Sequence, residues 1–142
     1  MKDVVLVRVL IRDPSNNKTL LLRRPKDYFL SLQQEPPGGK VEKNETLLEA
    51  VHREVYEETN LLIDKIKYIQ EFTFADRRGK KYIEHIFHAE IITDPSEVVI
   101  NIHEHESFEW ILCDTILDRN LHPEFKKALK DCQDIWLDNY NI

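Results

Sequence analysis

Residues Gly39 to Leu61 read GKVEKNETLLEAVHREVYEETNL, and three glutamates in this stretch, Glu54, Glu57 and Glu58, sit at offsets that only a helix gathers into one patch. With about 100° of rotation per residue, Glu57 and Glu58 fall roughly 60° to one side and 40° to the other of Glu54. Carboxylates crowded within one turn repel each other, so the patch is costly unless something positive occupies it. A hard divalent cation with oxygen ligands is the natural occupant. The helix is expected from about Thr46 to Thr59, with Leu48, Val51 and Val55 at i, i+3 and i+7 packing inward and the carboxylates offset toward a cleft. Asn60 follows at a position where a left-handed residue commonly closes a helix.

Working outward, Val4 to Ile11 and Thr19 to Arg23 are apolar and rich in β-branched residues, and Asp13-Pro14-Ser15-Asn16-Asn17 separates them, which predicts a hairpin. From Arg24 to Lys40 the chain reads as irregular, with Pro25, Pro36, Pro37, Gly38 and Gly39. A connection this long is more often functional than idle. Beyond the helix, Ile66 to Phe74 and Tyr82 to Ile92 flank Asp76-Arg77-Arg78-Gly79-Lys80, a second hairpin. A further strand is expected around Phe108 to Leu112. Phe125, Ala128, Leu129, Cys132 and Trp136 then fall at helical spacing, with Pro123 suited to a first turn. This order implies a mixed sheet covered by helices on its faces.

The 142 residues suit one domain, and 42% hydrophobic with 32% charged residues is a globular balance. The net charge of −6 argues against coating a nucleic-acid polymer, so an anionic ligand needs a metal or particular arginines. Cys113 and Cys132 lack zinc spacing and read as free thiols. The N-terminal apolar run carries Arg8, lacks a cleavage pattern and is too short to span a bilayer, so the expected location is the cytoplasm, with no membrane partner.

Written as a pattern, the opening stretch is Gly39, five residues, Glu45, seven residues, Arg53-Glu54-Val55, one residue, Glu57-Glu58, then Leu61. It resembles the Nudix box, the signature of hydrolases that cleave a nucleoside diphosphate linked to another group. The family has Gly where Asn60 stands, and all the charged positions match. A solvated acidic face would explain EVYEE alone, but it needs neither the double glycine nor the spacing of Glu45 and Arg53. The resemblance implies a Nudix fold, an α/β/α sandwich with a mixed β-sheet, as a single domain over 1–142, with Mg²⁺ or Mn²⁺ as cofactor. It further implies Glu57 and Glu58 as central metal ligands, Glu54 as a further ligand or water-activating group, and the Gly38 carbonyl as a backbone ligand. Gly39 lets the chain approach metal and substrate closely. Arg53 belongs to the catalytic set as an organiser, placed to pair with Glu57, and Glu45 supports it from the helix start.

Outside the box, Glu104 precedes Trp110 by six residues, a placement similar to the loop glutamate of MutT-type members that binds metal or acts as base. The alternative is a solvent-facing loop charge. His103 and His105 alternate beside it and are read as surface residues, since a zinc site would need a convincing third ligand. A MutT-like chain has a pair similar to Arg23-Arg24, and of the two Arg23 is the expected phosphate-binding residue. QEPPGGKVE is a MutT-type entry to the box, with Gln34 in place of the expected aromatic. Tyr68, Tyr82, Phe72 and Phe74 serve either as base-stacking rings or as sheet and core residues. The expected activity is Mg²⁺-dependent hydrolysis of nucleoside triphosphates, oxidised deoxynucleotides among them, to nucleoside monophosphate and pyrophosphate. ADP-ribose, nucleotide sugars and dinucleoside polyphosphates are alternative substrates, although the absence of proline between Leu61 and Asp94 disfavours ADP-ribose. A non-catalytic nucleotide-sensing module is a third reading. The partner is a small nucleotide, and a homodimer stays open.

Overall fold

The structure, a computed structural model, describes residues 3–26 and 33–140, with 133–140 described by their backbone path alone. Seven strands form one sheet: β1 (Val4–Asp13), β2 (Lys18–Arg23), β3 (Gln34–Glu35), β4 (Gly38–Lys40), β5 (Ile63–Ala75), β6 (Lys81–Ile91) and β7 (Ser107–Leu112). Two helices complete it, α1 (Leu47–Thr59) and α2 (Pro123–Tyr140). β1 runs parallel to β6 and antiparallel to β2 and β4, so the sheet is mixed.

Turn chemistry fixes both expected hairpins. Asp13 accepts from the Ser15 N–H and the Asn16 amide, and Asn17 takes the left-handed conformation (φ 52°). Asp76 likewise accepts from the N–H groups of Arg78 and Lys80, with Gly79 at φ 83°. β5 begins earlier than Ile66 because register shifts near Asp64 and Tyr68 absorb a break in its pattern. The predicted irregular stretch is also partly ordered: Gln34–Glu35 and Gly38–Lys40 join the sheet as β3 and β4, while residues 27–32 lie outside the described ones.

Strand alternation builds a core on each face. Val7, Val9 and Ile11 of β1 point to one side, packing with Ala50, Val51 and Val55 of α1 and with Phe87 and Ala89 of β6. Leu10, with Leu21 and Ile86, packs on the other side against Phe125, Ala128, Leu129 and Cys132 of α2. The expected sandwich is therefore present, with a helix on each face. The side chain of Trp136 falls outside the described residues.

Thr46 is the N-cap of α1 rather than its first residue, and a capping box with Glu49 starts the helix. Asn60 closes it in the left-handed region (φ 65°), its N–H bonded to the Tyr56 carbonyl. The expected inward stripe is corrected at one position, since Leu48 is 53% exposed. The buried arc runs from Ala50 through Leu47 and Val51 to Val55 and includes Glu58, so it is rotated toward the glutamates and not away from them. Glu58 is tolerated there because the Gly38 N–H meets its carboxylate.

Candidate active site

β2 pairs with β1 at Arg12 and Asp13, then continues between β7 and β3, and β4 enters beside β1 where β2 has left it. β4 thereby sets Gly39 opposite Val7 and Gly38 opposite Arg8, under α1. A Cβ on Gly38 would strike the Val7 carbonyl oxygen and the Arg8 backbone. One on Gly39 would come within 2.7 Å of both Glu54 carboxylate oxygens. Gly38 is thus required by close approach of backbone, whereas a side chain at Gly39 would push the Glu54 carboxylate aside.

Arg53 organises the outer end of the patch. Its Nε and Nη2 bind Glu45 in a two-pronged contact of 2.7 and 2.9 Å, and Nη2 also donates to the Lys40 carbonyl. Its Nη1 reaches Glu54 at 2.9 Å and Glu57 at 3.2 Å. These hydrogen bonds hold the Glu45 carboxyl at about 2, far below its ordinary range. Glu54 moves the other way, because burial outweighs the arginine beside it.

Glu58 forms the inner end. It is 5% exposed, its Oε1 accepts from the Gly38 N–H at 2.8 Å, and its Oε2 lies 3.5 Å from His105 Nδ1. Desolvation pushes its pKa up to about 7 despite Arg8 and the Gly38 bond. Beneath it, Arg8 donates from Nε to Glu84 at 2.6 Å and from Nη1 to the Pro36 carbonyl, with Glu35 at 3.6 Å. Glu35 also receives Arg24 at 3.0 Å and faces His105 Nε2 at 2.9 Å. Although burial opposes it, His105 and the two arginines hold the Glu35 carboxyl at about 2.

These groups line a cleft of about 400 Å³ with Gly38, Gly39, Lys40, Glu58, Glu104 and His105 at its acidic end. It continues into a space of about 610 Å³ bounded by Phe72, Phe74, Tyr82, His122 and Phe125. There Phe74 stacks on Tyr82 at 4.9 Å and Phe72 on His122 at 5.6 Å. Tyr68 lies elsewhere, its hydroxyl 2.9 Å from His85 Nδ1. Glu54 and Glu57 stand beside the cleft, tied by Arg53, and do not line its wall.

The structure brings Gly38, Gly39, Arg53, Glu54, Glu57, Glu58 and the exposed Glu104 into one neighbourhood. Of the arginine pair, Arg24 lines the cleft, whereas Arg23 ends β2 opposite Ser107 and Gln34. His103 is exposed as expected, but the surface reading of His105 is overturned, since it is 5% exposed and wedged between Glu35 and Glu58. Sequence reasoning missed Arg8, Glu35 and Glu84. A charged residue inside the apolar run VVLVRVLI was the available signal for Arg8.

The donor set fits a divalent cation: burial destabilises the Glu58 anion despite Arg8 and the Gly38 N–H, and ligand atoms of Glu58, Glu104 and His105 lie within 4.8 Å of one another. A mixed sheet between two helices, with an Arg53-braced glutamate helix against a glycine pair, defines the class. Residues 2–132 match the NUDIX domain model, and the chain belongs to that family. It is similar to the 8-oxo-dGTP diphosphatase of Escherichia coli (strain K12), with 34% identity over 79 residues, 54% of this chain and 60% of that protein. The chain thus spans about three fifths of that relative's length. Among solved structures, the MutT protein from Methanosarcina mazei Go1 is 28% identical with a TM-score of 0.72, covering 92% of this chain and 94% of that one. The MutT NUDIX hydrolase from Burkholderia pseudomallei, at 21% identity, shares the fold with a TM-score of 0.75 over 92% and 98%. No described helix is long and apolar enough to cross a membrane.

Proposed function

We propose that this chain is a divalent-metal-dependent pyrophosphohydrolase of nucleoside triphosphates, releasing nucleoside monophosphate and pyrophosphate, with oxidised deoxynucleotides among its substrates. The observation that carries the reading is the glutamate helix held by Arg53 against Gly38 and Gly39. Glu57, Glu58, Glu54 and Glu104, with the Gly38 carbonyl, would hold the metal, Mg²⁺ or Mn²⁺. When bound, such an ion neutralises phosphate oxygens and acidifies water. Water attacks a phosphorus flanking the α,β-bridging oxygen, the P–O bond of that bridge breaks, and nucleoside monophosphate and pyrophosphate separate while the water proton passes to a carboxylate.

The chain's own residues supply the positioning. Arg53 keeps Glu54 and Glu57 aimed at one region, so little reorganisation is needed when charge develops. Arg24, at the cleft wall, offers a guanidinium to phosphate oxygens in addition to the Arg23 expected to bind them. The Phe74 and Tyr82 pair offers a flat apolar wall to a nucleobase. The similarity to the 8-oxo-dGTP diphosphatase supports nucleoside triphosphates as the substrate class.

The test is a Mg²⁺-supplemented screen over canonical and oxidised nucleoside triphosphates, ADP-ribose, nucleotide sugars and dinucleoside polyphosphates, with products identified by mass spectrometry. Triphosphates should give monophosphate and pyrophosphate. No turnover of any compound would leave a nucleotide-sensing module as the better description.

A further inference from the structure

His105, to which the proposed reaction gives no role, is 5% exposed. It sits on the turn after Asn101, its N–H bonded to the Asn101 carbonyl, and its ring is driven inward between two carboxylates. Glu35 is fastened by Arg8 at 3.6 Å and Arg24 at 3.0 Å and therefore stays anionic, so His105 Nε2 must carry the proton that bridges the 2.9 Å gap between them. In the neutral ring this leaves the Nδ1 lone pair facing Glu58 Oε2 at 3.5 Å. That pair of atoms is one that either a proton or a metal ion bridges, and Glu104 supplies a third ligand atom within 4.8 Å of both.

The distances suit a shared ion. Donor atoms held about 2.1 Å from one ion at angles between 90° and 110° lie roughly 3.0 to 3.4 Å apart. An imidazole whose other N–H is held by a carboxylate is also the usual support of a metal-bound histidine. We infer that His105 Nδ1 is an additional metal ligand beside Glu58 and Glu104, oriented by Glu35, and that its nitrogen biases this site toward a transition ion such as Mn²⁺ or Co²⁺ over Mg²⁺. Carboxylates alone suit Mg²⁺, whereas a nitrogen donor favours ions later in the divalent series. The inference rests on the metal-dependent reading above and adds a ligand and an ion preference to it.

The test reads coordination and not turnover. The full chain is loaded with one equivalent of Mn²⁺ and examined by pulsed electron paramagnetic resonance for coupling to a directly bound nitrogen. Wild type should show that coupling and His105→Gln should lose it, while the other five histidines remain. By calorimetry, His105→Gln should weaken Co²⁺ binding about tenfold or more and Mg²⁺ binding by less than about threefold. Absence of nitrogen coupling in wild type overturns the inference, whether or not any variant folds. Coupling that survives in His105→Gln overturns it equally. Mg²⁺-supported triphosphate hydrolysis without nitrogen coupling would remove His105 from the coordination shell and leave the proposed reaction standing.

Discussion

The two ends of the glutamate patch use one residue type in opposite ways. At the outer end, Arg53 gathers Glu45, Glu54 and Glu57 at 2.7 to 3.2 Å, so one guanidinium fixes three carboxylates in place before any ligand arrives. At the inner end, Glu58 is buried with a single backbone donor, and its charge is left incompletely met. The outer end is held in position by hydrogen bonds, whereas the inner end is desolvated and its anion destabilised. Helix spacing set both ends, yet their chemistry differs because one end faces water and the other faces the sheet.

Breaking the inner end should have the largest effect. Glu58→Gln is nearly isosteric, keeps an acceptor for the Gly38 N–H and removes the anion, so kcat/KM should fall by about a thousandfold or more, with the circular dichroism spectrum unchanged. Glu57→Gln should cost a similar factor. Near-normal turnover in both would mean that the metal site has been misplaced.

Breaking the outer end should cost less. Arg53→Lys retains a charge but not the fork that spans Glu45, Glu54, Glu57 and the Lys40 carbonyl, so kcat should drop about a hundredfold through misplaced carboxylates. A change confined to KM would argue that Arg53 contacts substrate instead.

Stability against pH sharpens the contrast. The Glu58 pKa rises from 4.5 to about 7 on folding, so between these values the folded chain keeps a proton that the unfolded chain releases. Stability of the metal-free protein should therefore fall as pH rises through this window, by up to about 3 kcal/mol from this group. Glu35, held at about 2, acts in the opposite direction, and its contribution is lost only as pH falls below about 4.5. Thermal melts from pH 5 to pH 8 should show the decline in metal-free wild type, and saturating divalent metal should suppress it. Glu58→Gln should lack the decline, and an identical slope in that variant would remove Glu58 as its source.

The smallest effect belongs to the helix end. Asn60→Gly relieves a left-handed non-glycine residue but gives up the amide bond to the Glu97 carbonyl, so urea unfolding should show a gain of less than about 1 kcal/mol. Turnover should not change. A large loss of activity would show that the Asn60 side chain does more than close the helix.

Much of this site was legible because helix geometry is local. The spacing of Glu45, Arg53, Glu54, Glu57 and Glu58, the glycine pair and the Asn60 cap follow from residues within one turn or one loop of each other. Leu48 was misread because a stripe indicates which face is apolar but not how far the helix rotates toward its neighbour. The two hairpins were readable for the same local reason.

Only the tertiary structure decided what surrounds Glu58. Arg8, Glu35, Glu84 and His105 come from four separate segments, and sheet pairing brings them together: β3 carries Glu35 beside β2, while β4 and β6 flank Arg8 on β1. Their charges and burial depend on that convergence. The sequence by itself determined the glutamate helix and its family pattern, while long-range packing decided which carboxylate is buried and which arginine and histidine stand at the cleft, because desolvation depends on neighbours that sequence distance does not specify.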